Sequence, residues 1–198
     1  MKHKRLFCAR SAILLLALLG FIFFNEFKLT RHLSLKNTDE IENLRSRVLF
    51  QSNFSGFFNF STDYYIQTIN GDSKSIVDVF SDLTVVLYIS TNQCTSCIDD
   101  SIEKIQERLK KHPNLEYIIF SSGFTLRELM LIKTNKKLKA SIYSITNNRS
   151  HFFNKMDKAL FPYYFTVNSN LEVSNIFFPQ KSSSILEVRY FERLSSLK

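Results

Sequence analysis

The chain has 198 residues, 44% of them hydrophobic, with only four glycines and three prolines. That is too apolar for a disordered chain and lacks the bias of collagen or linkers. The formal charge of +8 is spread along the sequence and partly reflects a basic N-terminus, so it singles out no nucleic-acid partner; three cysteines are too few for a disulfide-built scaffold.

Residues 2–10, KHKRLFCAR, carry Lys2, Lys4, Arg5 and Arg10 and no acid, and the next stretch, SAILLLALLGFIFF, Ser11 to Phe24, is uncharged. A charged region followed by an apolar one is the order of a signal sequence. The run is shorter than the roughly 20 residues of a full span, but Leu6, Phe7 and a snorkelling Arg10 extend it. No small-x-small cleavage site follows, and the bulky FIFFNEF favours an uncleaved anchor over a cleaved signal or a buried soluble helix. Residues 1–27 are therefore read as a single-pass transmembrane signal anchor. The positive-inside bias puts the N-terminus in the cytoplasm and everything after Phe27 in the periplasm or its equivalent. Cys8, ahead of the apolar run, is an unpaired residue on the reducing side.

Residues 28–61 form a stalk and lead-in. Ile41, Leu44 and Val48 fall at helical spacing behind Asp39, with Glu42 three positions later, which predicts a short helix over 39–50. The Asn-x-Ser triplets at Asn53 and Asn59 carry little weight in a bacterial-type protein.

From residue 62 strands and helices alternate. YYIQTI is a strand and NGDS a turn, and SIVDVF is a short helical segment. LTVVLYIS, residues 83–90, is a continuous β-branched run and so a buried central strand. Ile98, Ile102, Ile105 and Leu109 mark one face of a helix ending near KKHP. LEYIIFSS is a strand, TLRELMLI a helix, ASIYSI a strand and HFFNKM a short helix. YYFTVN and EVSNIFF are strands joined by a tight turn. SSSILEVRYFERL is a terminal helix with Ile185, Val188 and Leu194 on its apolar face. The paired phenylalanines 57–58, 152–153 and 177–178 read as core. The alternation predicts an α/β domain with a mixed sheet flanked by helices.

Cys94 and Cys97, in STNQCTSC, fall between the central strand and the helix that follows it. Sites in open α/β sheets lie at the carboxyl ends of strands. The first turn of a helix offers N–H groups without intrahelical acceptors and a positive dipole end. Both stabilise a thiolate, and the spacing lets the second sulfur meet the first within one turn. Outside the cytoplasm such a pair is a disulfide or a redox centre. Cys94, nearer the loop, is the candidate nucleophile and Cys97 the resolving thiol. Zinc would need a second pair of ligands, whereas His112 and His151 stand alone. An inert disulfide in a binding or structural domain is the main competing reading.

VVLYISTNQCTSC, after YYIQTINGDSKSIVDVF, resembles the thioredoxin-like fold, and within it the membrane-anchored extracytoplasmic thiol-disulfide oxidoreductases of the TlpA/ResA kind. The segment LFPYYFTVNSNLEVSNIF resembles that family's proline strand. The resemblance covers about 62–194 and implies a thioredoxin-like domain over 62–198. It also implies a cis Phe161–Pro162 bond beside the dithiol, with the N–H and C=O of Phe161 turned outward to pair with an extended client. Pro162 would then shape the groove, and Phe161, Gln93, Thr95 and Ser96 would contact the client. The bland reading of Pro162 is a proline opening a strand. The chain departs from the family in placing Gln93 before the first cysteine, where an aromatic residue is usual, and Asn168 and Asn170 where Asp and Gly are common. Tyr88 occupies the position of thioredoxin's buried acid. Asp99, Asp100 and Glu103 are candidates for taking the Cys97 proton, although acids here also complement the helix dipole.

The expected activity is thiol-disulfide exchange in the reductive direction on cysteines of exported proteins. It needs no cofactor and no metal, only a membrane thiol electron donor. The expected partners are disulfide- or thiol-containing client proteins and the membrane, through the N-terminal helix, with no nucleic acid.

Overall fold

The computed structural model describes residues 58–145, 159–179 and 184–197, with scattered positions between 20 and 44. The chain divides into two compact units, Met1–Leu49 and Phe50–Lys198. In the first, residues 23–31 are helical and exposed, as are Ile41 and Leu44 within the helix expected over 39–50. Most of the apolar run, Cys8, the rest of that expected helix, Asn53, His151, the segment HFFNKM and the serines before residue 184 lie outside the described residues. Among the described residues no helix is long and apolar enough to cross a membrane.

Among its described residues the second unit is built on eight strands: β1 (Phe58–Asn59), β2 (Tyr65–Thr68), β3 (Ser73–Ser75), β4 (Thr84–Ser90), β5 (Glu116–Ser122), β6 (Ser141–Ser144), β7 (Tyr163–Val167) and β8 (Glu172–Phe177). They form one sheet in the order β1-β8-β7-β4-β5-β6-β2-β3. Strand β4 runs parallel to β5 and antiparallel to β7. Three helices complete the described fold: α1 (Thr95–Lys111), α2 (Leu126–Asn135) and α3 (Ser184–Ser195), with a short 3-10 turn at Ile76–Asp78.

Every residue of β4 is buried, which requires the unbroken apolar run seen in the sequence, because both faces of the strand are covered. Successive side chains point to opposite faces. Val85, Leu87 and Ile89 pack with Ile98, Ile102 and Ile105 of α1, Leu129 of α2, and Phe191 and Leu194 of α3. Val86 and Tyr88 pack on the other face with Phe60, Ile66, Ile76, Phe165 and Phe178. There Phe60 stacks on Phe80, centroids 5.7 Å apart, and meets Phe120 edge-on at 6.3 Å. The sheet thus takes in β1 and Phe60, within the stretch read as lead-in.

Local chemistry fixes the element ends. Helix α2 opens on a capping box: the Glu128 amide donates to Thr125 Oγ1, and the Thr125 amide donates to Glu128 Oε2 at 2.7 Å. Asn168 stands where Asp is common, yet the turn needs only an acceptor. Asn168 Oδ1 takes the amides of Asn170 at 3.0 Å and Glu172 at 2.9 Å. The left-handed residue of that turn is Leu171, φ 66°, whose buried side chain offsets the backbone cost. Gly123, φ +79°, lets the chain after β5 close on Thr91 after β4, where a Cβ would collide.

The terminal helix forms as expected but turns a different face inward. Of Ile185, Val188 and Leu194 only Leu194 is buried, and Ile185 is 65% exposed. The buried stripe is Glu187, Phe191 and Leu194, positions i, i+4 and i+7. A carboxylate can sit there because α1 presents two cations to it. Lys104 Nζ lies 3.2 Å from Glu187 Oε2, and Arg108 Nη2 lies 3.6 Å from Glu187 Oε1.

Candidate active site

Strand β4 delivers the chain to the site at Ser90. Thr91 N donates to Ser122 O at 3.1 Å and Gln93 N to Ser90 O at 3.0 Å, so the loop turns tightly off the sheet. Cys94 is the N-cap of α1, with φ −59° and ψ 119°. The amides of Cys97 and Ile98 both donate to Cys94 O, each at 3.0 Å, which starts the helix directly beneath the first cysteine. Cys94 is exposed and Cys97 half-buried, and both are thiols. Their sulfurs stand 2.6 Å apart, so that loss of two electrons and both thiol protons to a disulfide substrate joins them with little movement into a bond of about 2.05 Å. Ser96 Oγ lies 3.2 Å from Cys94 Sγ. Thr95 and Ser96 are exposed beside the dithiol.

The acids on α1 are engaged elsewhere. Asp99 and Glu103 both hold Lys136, at 3.1 and 2.9 Å, and Asp100 holds Lys104 at 3.0 Å. They form ion pairs and dipole complements on this helix. Tyr88 is fully buried, its ring 5.2 Å from that of Tyr163.

The segment before β7 reaches the dithiol from far along the chain. Cys94 N donates to Leu160 O at 3.4 Å. Gln93 Nε2 donates to Phe161 O at 3.0 Å across 68 residues of sequence. The placement beside Cys94 is therefore as expected, but the backbone geometry differs. Among the described residues no peptide bond is cis, so Phe161–Pro162 is trans. Pro162 is buried and directly precedes β7, the role of a proline opening a strand, where a missing N–H costs no ladder bond. The trans form is the default of the X–Pro bond, and here the Phe161 carbonyl turns inward to Gln93 instead of outward to a client.

Gln93 is likewise not a client contact. It is buried, and its amide oxygen accepts from Ser90 N at 2.9 Å while its amide nitrogen serves Phe161. Sequence reasoning missed this bridge and missed Leu160. The available signal was an amide side chain directly after a fully buried strand, where burial demands that both its ends be paired.

Comparison with solved structures places this architecture. A secreted disulfide oxidoreductase of Mycobacterium tuberculosis, homologous to E. coli DsbE, superposes with a TM-score of 0.51 at 7% identity, covering 68% of this chain and 96% of its own. A candidate thiol-disulfide oxidoreductase from Bacteroides vulgatus gives 0.53 at 14% identity, over 70% and 91%. BsSco, a Sco-family cytochrome c oxidase assembly protein with a disulfide switch, gives 0.51 at 15% identity, over 73% and 99%. The fold is thioredoxin-like. No protein-family model matches the sequence, and no curated protein matches it. In this thioredoxin-like frame the dithiol stands just past the carboxyl end of β4.

Proposed function

We propose that the protein is an extracytoplasmic thiol-disulfide oxidoreductase of the TlpA/ResA kind, held to the membrane by residues 1–27 and working as a reductase on exported client proteins. The observation that carries this reading is the exposed Cys94 with its sulfur 2.6 Å from that of half-buried Cys97, at the positive end of a 17-residue helix. The Cys94 thiolate attacks one sulfur of a client disulfide, and the other client sulfur leaves as a thiolate and takes up a proton. The Cys97 thiolate then attacks Cys94 Sγ, the second client thiol departs, and the Cys94–Cys97 disulfide remains. Two electrons pass to the client, and a membrane dithiol carrier restores them. The TlpA/ResA resemblance supports the anchor and the reductive direction, and the basic, then apolar N-terminus supports the location. Thr95 and Ser96 flank the client's path, and Pro162 with Phe161 forms its wall.

Thiol titration of the full-length protein with and without reductant tests the chemistry. The redox reading expects a difference of two thiols and, in Cys97→Ser, mixed disulfides trapped on Cys94. An unchanged count, or trapping by Cys94→Ser instead, contradicts it.

A further inference from the structure

Resting on the oxidoreductase reading, we infer that Gln93 is a positioning residue that holds the Leu160–Phe161 segment against the dithiol with its carbonyls turned inward, so that the Leu160 side chain meets the client. The two carbonyls nearest Cys94 on this wall are both engaged by the dithiol loop. Leu160 O accepts from Cys94 N, and Phe161 O accepts from Gln93 Nε2. Gln93 itself is anchored to the end of β4 through Ser90 N. One buried side chain thus ties the central strand, the first cysteine and the wall into a single unit. What the wall turns outward is apolar: Leu160 is 64% exposed, although its backbone touches that of Cys94. A long, exposed aliphatic side chain on a residue hydrogen-bonded to Cys94 discriminates among clients by packing, because apolar contact stabilises in proportion to the area it removes from water. The substrate class is therefore a protein or peptide disulfide with an apolar residue next to its attacked cysteine.

The test uses the full-length protein, pre-reduced, in single-turnover reaction with two probes: a peptide disulfide flanked by leucine, and 4,4′-dithiodipyridine, which carries no peptide and no aliphatic side chain. In Gln93→Glu the protonated acid can still donate to Phe161 O and accept from Ser90 N, whereas the carboxylate cannot donate. The expected ratio of variant to wild type for the peptide falls about tenfold above the pH at which that carboxyl ionises, one hydrogen bond being worth a factor of this order. Below that pH it recovers to within about twofold; dividing the peptide rate by the dithiodipyridine rate at each pH removes the direct effect of the carboxylate charge on the Cys94 thiolate. Leu160→Ala, an exposed change that leaves the fold intact, should raise the half-saturating peptide concentration about fivefold with the limiting rate unchanged. An alanine-flanked peptide should lose that sensitivity. A Gln93→Glu profile parallel to wild type, or a Leu160→Ala variant indistinguishable from it, overturns the inference while leaving the dithiol chemistry intact. A wild-type protein inert toward dithiodipyridine overturns the oxidoreductase reading and this inference with it.

Discussion

Helices α1 and α3 lie on the same face of the sheet and share a core, yet the apolar spacing in the sequence marks the buried stripe of α1 and, on α3, only Leu194. Helix α1 buries Ile98, Ile102 and Ile105 and keeps Asp99 and Glu103 in water. Helix α3 buries a carboxylate, Glu187, beside Phe191 and Leu194, and leaves Ile185 and Leu186 exposed. Toward the strands α1 turns Ile98, Ile102 and Ile105, and toward α3 it turns the buried Arg108. Helix α3 also packs against α1, whose flank carries Lys104 and Arg108, the latter with its guanidinium 5.1 Å from the Phe191 ring centre. A buried stripe is therefore defined by what faces it, and the contact with α1 decides that charge goes inward on α3.

The comparison breaks first at the apolar stripe. Ile105→Ala, at a fully buried position, should cost about 4 kcal/mol of unfolding free energy, the transfer loss plus the cavity left behind. Urea denaturation checks it, and a cost near zero would mean that α1 does not depend on its stripe.

Glu187→Ala should cost about 3 kcal/mol, because it strands the nearly buried Arg108 without its counter-ion. Replacing Glu187 and Arg108 together with leucine should restore most of that loss, since an apolar pair of similar volume avoids desolvating two charges. A double variant as unstable as the single one would show that the charges make a net contribution here.

The two helices also meet where His112, the C-cap of α1, lies 2.7 Å from Ser195 Oγ of α3. Burial, with the Arg108 charge adding to it, pushes the His112 imidazole below its ordinary 6.5. The unfolded chain then binds the proton more readily than the folded one. This contribution is present in full above the unfolded value and is lost as pH falls through the lower folded value. A stability profile from pH 8 to pH 5 should therefore slope downward with acid, and His112→Gln should flatten that part of it.

The smallest effect belongs to the residue whose spacing most resembles a core position. Ile185→Ala, at a 65% exposed site, should change stability by less than about 0.5 kcal/mol. A loss of several kcal/mol would restore the stripe read from sequence.

Most of the fold was legible because its signals are local. The unbroken apolar run of β4 can only be a strand covered on both faces, the spacing of Ile98, Ile102 and Ile105 can only be one face of a helix, and Cys94 and Cys97 stand at the junction of the two. Fold class, element order and the location of the dithiol therefore follow from the amino-acid order alone. What the tertiary structure decided are the features set by residues far apart in the chain. Gln93 is a bridge and not a client contact, because Phe161, 68 residues on, brings a carbonyl to its amide. Pro162 opens a strand beside the dithiol because the Leu160 and Phe161 carbonyls are held from the dithiol loop. Glu187 is buried because Lys104 and Arg108 come to face it. Periodicity records how often a chain turns toward some neighbour; the chemistry of that neighbour, and hence whether a buried position wants a methyl group or a charge, exists only once distant elements have packed.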